Sequence, residues 1–230
     1  VAPYGVFALM AKTFSTHGPE LILPMLGYFG SVAAILILHT VGTLMVLLKL
    51  LGRLNPMQFM RKIRSLQIFA FSTASSNATL PVTLNTAEKH IGIDNSIASF
   101  IIPLGATINM DGTAIMQGVA TVFIANVYGI ELGLSSYLMI ILMTVLASIG
   151  TAGVPGVGLV MLAMVFQQVG LPLEGIALIM GIDRLLDMLR TVVNVTGDTV
   201  VATIVARSEN EFSMATFQND NQKSHSDTLI

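Results

Sequence analysis

Cysteine is absent from this chain, which excludes disulfides, thiolate catalysis and cysteine-based metal sites. Charge is scarce as well. Eleven Lys and Arg and thirteen Asp and Glu make up only 10% of the 230 residues, against about a quarter in soluble globular domains. The formal net charge of −2 argues against a nucleic-acid partner, whose phosphates call for a basic surface. What remains is apolar: 53% of residues are hydrophobic and the mean hydropathy is +0.79. Between Glu20 and Lys49 there is no Asp, Glu, Lys or Arg and a single histidine, His39, which suits one span of about 20 residues plus flanks. From Leu132 to Leu173 there is no charge at all, too long for one span and suited to two passes. The composition reads as an all-α, multi-pass integral membrane protein.

The first residues are Val1 to Met10, already apolar and helix-like, with no initiator Met and no signal peptide. They read as the start of a C-terminal portion of a longer membrane protein. From Ser208 to Ile230 the composition turns abruptly polar and predicts a disordered cytoplasmic end.

Charge does occur within one apolar segment, Ile176 to Ala206, which is long enough to cross a bilayer. At about 100° per residue, Asp183, Asp187, Arg190, Asn194 and Asp198 fall within an arc of roughly 80° on one helix face. A charge at the bilayer centre costs about 2.5–3.5 kcal/mol even on lenient insertion scales. The four charges of this stripe must therefore face a partner, a ligand or water, and the stripe reads as one wall of an intramembrane binding site.

Basic residues cluster at Lys49, Arg53, Arg61, Lys62 and Arg64, which places that loop in the cytoplasm. The next segment, about 65 to 86, is uncharged but carries Ser72-Thr73-Ala74-Ser75-Ser76-Asn77-Ala78-Thr79-Leu80-Pro81 at its centre. Irregular backbone at membrane depth survives only inside protein or along a watery cavity. A re-entrant hairpin returning to the cytoplasm at Glu88, Lys89 and His90 fits. A spanning helix from about 96 to 127 follows, interrupted at Asn109-Met110-Asp111-Gly112-Thr113. The second uncharged stretch is broken between Gly150 and Gly158 by four glycines and a proline, which continuous helix does not tolerate. This predicts a second re-entrant hairpin, entering from the opposite face, before the last helix returns Arg207 to the cytoplasm. Two broken segments, each followed by a helix with buried acid, match the inverted-repeat pattern of secondary transporters.

Arg190 offers a planar fork for bidentate contact with a carboxylate and cannot be neutralised. Its partner is either a ligand carboxylate or an internal one, Asp187 one turn away or Asp183 two turns away. Asp187 is a counter-ion for a ligand ammonium or, again, half of an ion pair. Asp198 lies two turns beyond Arg190, too far to pair with it, so a hard cation held by oxygen ligands is its natural partner. Asn194 can serve ligand and ion alike, or simply bond across helices. Carbonyls freed near Asn109, Asp111 and Thr113 can coordinate a cation, with Gly105 and Thr107 adding oxygens, unless the glycine marks only a kink. The hairpin tips supply free backbone N–H groups suited to an anionic group, with side-chain donors at Ser75, Ser76 and Asn77 and bare backbone from Val154 to Gly158. The 14 methionines read as core packing, and His39 as an interhelical hydrogen-bonder.

Four motifs resemble, in order, the glutamate/aspartate transporter family of dicarboxylate/amino acid:cation symporters. They are Ser75-Ser76 with Thr79-Leu80-Pro81, Asn109-Met-Asp-Gly-Thr113, Gly153-Val-Pro-Gly156, and Asp187-Met-Leu-Arg-Thr191-Val-Val-Asn194-Val-Thr-Gly-Asp198. The resemblance runs from Val1 to about Glu209. It implies an elevator-type transport domain at 26–208: a spanning helix, hairpin 1 at about 65–90, the broken helix 96–127, hairpin 2 at about 134–172 and the final helix 174–207. A scaffold-side helix at 1–25 precedes it and the disordered tail, 209–230, follows; the family's first four helices are not represented, and a homotrimer is implied.

Carried over position by position, the resemblance implies that Ser76 and Asn194 hold a substrate α-carboxylate. Asp187 and Thr191 take its ammonium with carbonyls at the two tips, around Ala74, Ser75 and Val154. Arg190, Thr113 and the Gly158 amide take the side-chain carboxylate. One Na⁺ sits among Gly105, Asn109, Asn194 and Asp198. A second lies between Thr107 and the carbonyls of Ser148, Ile149 and Thr151. A third, at Asn109 and Asp111, needs oxygens from a helix outside this chain. Two departures stand out: an arginine that family members often carry is Ala74 or Met188 here, and Asn77 stands where serine is common.

The expectation is a non-enzymatic symporter in a bacterial cytoplasmic membrane that takes up L-aspartate or L-glutamate with Na⁺, H⁺ being the other candidate ion. Arg190 has no use in a carrier of neutral amino acids and Asp187 none in a carrier of plain dicarboxylates such as succinate. A distant alternative is an intramembrane aspartyl protease using Asp111 and Asp198 as acid and base.

Overall fold

The computed structural model describes residues 22–219, together with Ala11, Ser15 and Glu20. The expected scaffold-side helix at 1–25 lies almost wholly outside the described residues, as does the tail beyond 219. Within them the chain is helical throughout, and its only β pairing is an isolated antiparallel bridge between Ile93 and Phe212.

Helix α1 runs from Ile22 to Gly52 and, among the described residues, is the one helix long and apolar enough to cross a membrane. Two π-helical turns, His39–Leu44 and Leu48–Gly52, loosen its second half. Each widens the ring by one residue, a device often found at functional sites. Here the first one begins at His39, whose side chain leaves the helix for a partner described below. Arg53, in a left-handed conformation, ends the helix. Helix α2, Pro56–Lys62, starts on proline and is capped by the Asn55 side chain, which accepts from Met57 and Gln58. Proline's missing N–H costs nothing there.

The first hairpin is α3, Arg64–Thr73, and α4, Ser76–Thr86, the latter extended by a π turn at Ala87–Ile91. Its tip is only two residues, Ala74 (φ 50°) and Ser75. Pro81 does not make the break; helix α4 runs through it. A left-handed residue ends one helix, and Ser75 immediately caps the next by accepting from the Ala78 amide. Helices α5, Asn95–Ile108, and α6, Asp111–Val127, are separated by Asn109 and Met110 alone, so Asp111, Gly112 and Thr113 belong to the first turn of α6. The second hairpin is α7, Leu134–Ile149, and α8, Val157–Val169, with the glycine-rich tip at 150–156 between them. Gly158 is already helical. Helix α9, Gly175–Ser208, is the longest.

Helix α9 packs against α5, α6, both arms of the first hairpin and α1. It is therefore the axis of the molecule, and its polar stripe faces inward rather than out. The apolar core around it includes Val32, Leu48, Phe59, Leu66, Ile102, Ile124, Phe166 and Val200, with Tyr28 stacked on Phe123 at 5.0 Å. Outside, large apolar residues such as Leu134, Leu138, Ile141 and Val160 are exposed, as expected where the surrounding solvent is lipid.

The polar end departs from expectation. Residues 209–219 are not loose chain. A turn at Asn210 (φ 63°) reverses the backbone, and a short helix α10, Met214–Gln218, seats Phe217 in the core. The segment has too many polar residues to fold alone, and it is ordered by docking on its neighbours.

Candidate functional site

Of the α9 stripe, all five residues are buried. Arg190 is 1% exposed and donates from Nη1 to Asp183 at 2.8 Å and from Nη2 to Asp187 at 2.7 Å. Both internal pairings that the sequence left open are made at once. A lone buried ion would cost several kcal/mol; two carboxylates offset that cost, yet Arg190 Nε still lacks an acceptor. Asp187 is shared: its Oδ1 faces Arg190 and its Oδ2 accepts from the Gly156 amide at 3.0 Å. That amide belongs to the tip of the second hairpin, so the hairpin is latched to α9 through the carboxylate expected to meet an ammonium. Asp183 was read as a possible internal partner, and it is the residue that holds the guanidinium most fully.

The two tips touch. The Ser75 hydroxyl donates to the Gly153 carbonyl at 2.7 Å and the Asn77 amide donates to the same oxygen at 3.1 Å. Gly153 is obligatory there, because a Cβ would lie 2.9 Å from Asn77 Oδ1 and 3.1 Å from the Ala106 carbonyl. Beneath the tips is a cavity lined by Ala74, Ser76, Thr113, Val154, Gly158, Asp187, Thr191 and Asn194, among others. Eight of the ten expected substrate contacts line it; Arg190 stands behind Asp187, and Ser75 makes the tip-to-tip bond. The cavity is only about 20 Å³, room for about one water. The tips are closed on a space that an amino acid would have to reopen.

Met110 in the cavity wall and Gln117 behind it carry signals the sequence showed only weakly. Gln117 is fully buried, donates to the Gly158 carbonyl at 3.2 Å and leaves its own Oε1 without a partner. Met110 turns its sulfur toward Asn194 Nδ2 at 3.3 Å, where methionine had been read as packing. An amide side chain in the middle of a largely apolar helix was the available clue for Gln117; for Met110, whose place depends on the break beside it, there was none.

Below the cavity lies a second polar knot. Asp198, 2% exposed, accepts from Asn109 Nδ2 at 2.9 Å. Asn194 Oδ1 accepts from the Gly112 amide at 2.8 Å. Gly105 closes the knot: a Cβ there would stand 2.5 Å from Asp198 Oδ1. Gly105, Asn109 and Asp198 thus meet, with Asn109 turning its amide nitrogen to the carboxylate, while Asn194, one turn before Asp198 on α9, bonds Gly112. Asp111 goes elsewhere, to His39 Nε2 of α1 at 2.6 Å. His39 is the interhelical bonder the sequence suggested, and its partner is a residue 72 positions away. Asp111 and Asp198 each have their own partner, an arrangement unlike a pair of carboxylates working as acid and base on one proton.

The residues of the second expected ion set make local bonds. Thr107 is exposed and its hydroxyl turns back to the Pro103 carbonyl. Thr151 bonds the Ala147 carbonyl through its hydroxyl and that of Ser148 through its amide, and Ile149 is exposed. These hydroxyls serve their own helices.

The family model of the sodium:dicarboxylate symporter family matches residues 1–208. An excitatory amino acid transporter of Caenorhabditis elegans is 41% identical over 206 residues, 89% of this chain and 41% of that protein. A proton/sodium-glutamate symport protein of Bacillus caldotenax is 39% identical over 212 residues, 92% of this chain and 50% of that protein. Excitatory amino acid transporter 5 of Homo sapiens is 40% identical over 206 residues, 89% of this chain and 37% of that protein. The chain spans half or less of the length of these relatives.

Proposed function

Because the chain belongs to the sodium:dicarboxylate symporter family, we propose that it forms the substrate-carrying core of a symporter for acidic amino acids, L-aspartate or L-glutamate, driven by Na⁺ or by H⁺. The observation that carries this reading is the pairing of Arg190 and Asp187 beneath the second hairpin tip. A guanidinium and a carboxylate side by side complement a ligand bearing both an extra carboxylate and an ammonium. A plain dicarboxylate leaves Asp187 unpaired, and a neutral amino acid does the same to Arg190.

Binding exchanges partners. A substrate side-chain carboxylate takes the Arg190 Nη groups, with the Thr113 hydroxyl and the Gly158 amide beside it. The ammonium takes the Asp187 oxygen now held by the Gly156 amide, with Thr191 and the tip carbonyls around it. The α-carboxylate takes Ser76 and Asn194. Asp183 must keep its hold on one Nη of Arg190 as the ligand arrives, because that buried carboxylate would otherwise lose its ion pair. Since the Gly156 amide and the ammonium compete for Asp187, opening the second hairpin and admitting substrate are one event.

Na⁺, carried as cargo, fits the knot of Gly105, Asn109, Asn194 and Asp198. Asn194 belongs to both the knot and the cavity wall, which ties ion and substrate together through one side chain. A second Na⁺ needs Thr107 and the Ser148, Ile149 and Thr151 carbonyls to turn toward one another when the tips rearrange. A third, at Asp111, needs displacement of His39. The two helical hairpins enter the bilayer from opposite faces and stop at the cavity, the domain moves as an elevator within a homotrimer, and the membrane is a bacterial cytoplasmic one.

The test is uptake of labelled L-aspartate into proteoliposomes holding the full-length protein, with an inward Na⁺ gradient against a Na⁺-free control. The expected result is gradient-dependent uptake competed by glutamate and not by alanine or succinate. Succinate competition as strong as glutamate's would reassign the substrate class, and uptake indifferent to Na⁺ would move the coupling to protons.

A further inference from the structure

The segment after α9 grips both feet of the first hairpin. Residues 64–91 form that hairpin; α2 leads into it and Gly92–Asp94 leads out. Helix α10 meets the entry foot: Gln58 Nε2 donates to the Phe217 carbonyl at 2.9 Å, and Lys62 Nζ donates to the Thr216 and Asn219 carbonyls at 3.3 Å each. Lys62 also lies 5.7 Å from the centre of the Phe217 ring. These carbonyls lie at the C-terminal end of α10, where a cation is favoured.

The exit foot is held by a short antiparallel pairing. The Asp94 amide donates to the Glu211 carbonyl at 3.0 Å, the Ser213 amide to the Gly92 carbonyl at 2.7 Å, and Ile93 faces Phe212 between them. Gly92 has φ +92°, and a Cβ on it would stand 2.6 Å from the Ser213 carbonyl. That close approach exists only because the segment docks there. The near end is anchored in turn: Arg207 Nε donates to the Gly52 carbonyl at 3.1 Å, and its guanidinium lies 5.5 Å from the Phe212 ring centre. Phe217, 2% exposed, fills the space between.

We propose that residues 209–219 are a permanent strap that fixes both feet of the first hairpin to the end of α9. Two anchors on two different elements, backed by the Arg207 guanidinium against Phe212 and built around one buried phenylalanine, are what a static clamp requires. A release switch would instead use a single exposed contact.

The pairing itself supplies the test. Ile93 and Phe212 form a pair without mutual hydrogen bonds, for which Cα atoms lie about 4.5 Å apart, within the roughly 4.4–6.8 Å that a disulfide bridges. These 230 residues hold no cysteine, so in full-length protein with any cysteine outside them replaced, Ile93→Cys with Phe212→Cys reports on this contact alone. In the full-length protein in liposomes, the clamp predicts rapid cross-linking and aspartate uptake unchanged, within about twofold, between oxidised and reduced forms. Loss of uptake on oxidation, recovered on reduction, would show that the strap must undock and would overturn the proposal. Uptake absent in both forms would overturn the symporter reading instead. Hydrogen exchange gives a second readout: Phe217→Ala is expected to speed exchange of the Asp94 and Ser213 amides about tenfold or more, while the Asn77 amide at the tip stays protected. Unchanged exchange at the feet would mean the strap holds nothing.

Discussion

Arg190 sits at the meeting of charge, space and connectivity. Its guanidinium cannot shed its proton, so burial commits it to acceptors, and Asp183 and Asp187 supply them. In Arg190→Cys the two carboxylates lose their cation, and acidic substrates lose the group that would bind their second carboxylate. We expect aspartate affinity to fall by at least about a hundredfold, roughly 2.7 kcal/mol, with neutral amino acids gaining competition. Unchanged aspartate affinity in binding assays would remove Arg190 from the site. Gly105 makes the complementary case, of a residue needed for what it lacks. Alanine there favours helix by about 1 kcal/mol, but its Cβ would meet Asp198 Oδ1 at 2.5 Å and push that carboxylate out of the knot. Gly105→Ala should therefore leave the fold intact and raise the Na⁺ concentration for half-maximal uptake about tenfold or more, an energy near 1.4 kcal/mol. A titration that superimposes on the wild type would show that Asp198 is not an ion ligand.

The hairpins and the broken helix owe their shapes to capping as much as to hydropathy. Ser75 shows the economy: one hydroxyl caps α4 through Ala78 and bonds the opposite tip through Gly153. At the other end of the same hairpin, outside the apolar segments, two titratable groups respond to acid. Burial, with Lys62 nearby, holds the His90 imidazole below its ordinary 6.5. A folded pKa below the unfolded one means folding disfavours the proton, so stability is complete above about pH 6.5 and declines as pH falls through the lowered value. The Ser96 hydroxyl and amide hold the Asp94 carboxyl below 3.8, and its contribution, present above that pH, is lost further into acid. The thermal midpoint should thus fall between about pH 7.5 and pH 5.5 in the wild type and less in His90→Gln. Parallel curves for the two proteins would mean that His90 does not sense the fold.

For the molecule as a whole, a cavity of about 20 Å³ closed by carboxylate-to-amide and tip-to-tip bonds is a ground state that ligand must remodel. A ligand that binds only the folded form stabilises it, by about 2.7 kcal/mol at a hundred times its Kd. Aspartate should raise the thermal midpoint of the purified protein in Na⁺ and leave it unmoved in choline; an equal shift in both would separate substrate binding from the Asp198 knot. Much of this organisation was legible in the residues. A charged stripe in an apolar segment has to face inward, because charge in lipid is costly. A glycine-rich run has to break a helix, and oxygen donors one turn apart have to serve one site. Local chemistry is enough for such inferences, and they placed Asp187, Arg190, Asn194 and Asp198 together. The rest depended on which distant surfaces meet. The pairing of Asp111 with His39 across 72 positions, the Gln117 bond to the second hairpin and the ordered strap at 209–219 each join elements far apart in the chain. Composition made that last segment look unable to fold, and by itself it is; its order comes from the Gly92 and α2 surfaces on which it packs. The residues alone determined a helical membrane protein with a polar stripe and two interruptions, since hydropathy and backbone sterics act over a few turns. Only the tertiary structure decided which carboxylate holds which partner, because a buried charge takes the counter-charge that packing brings within about 3 Å.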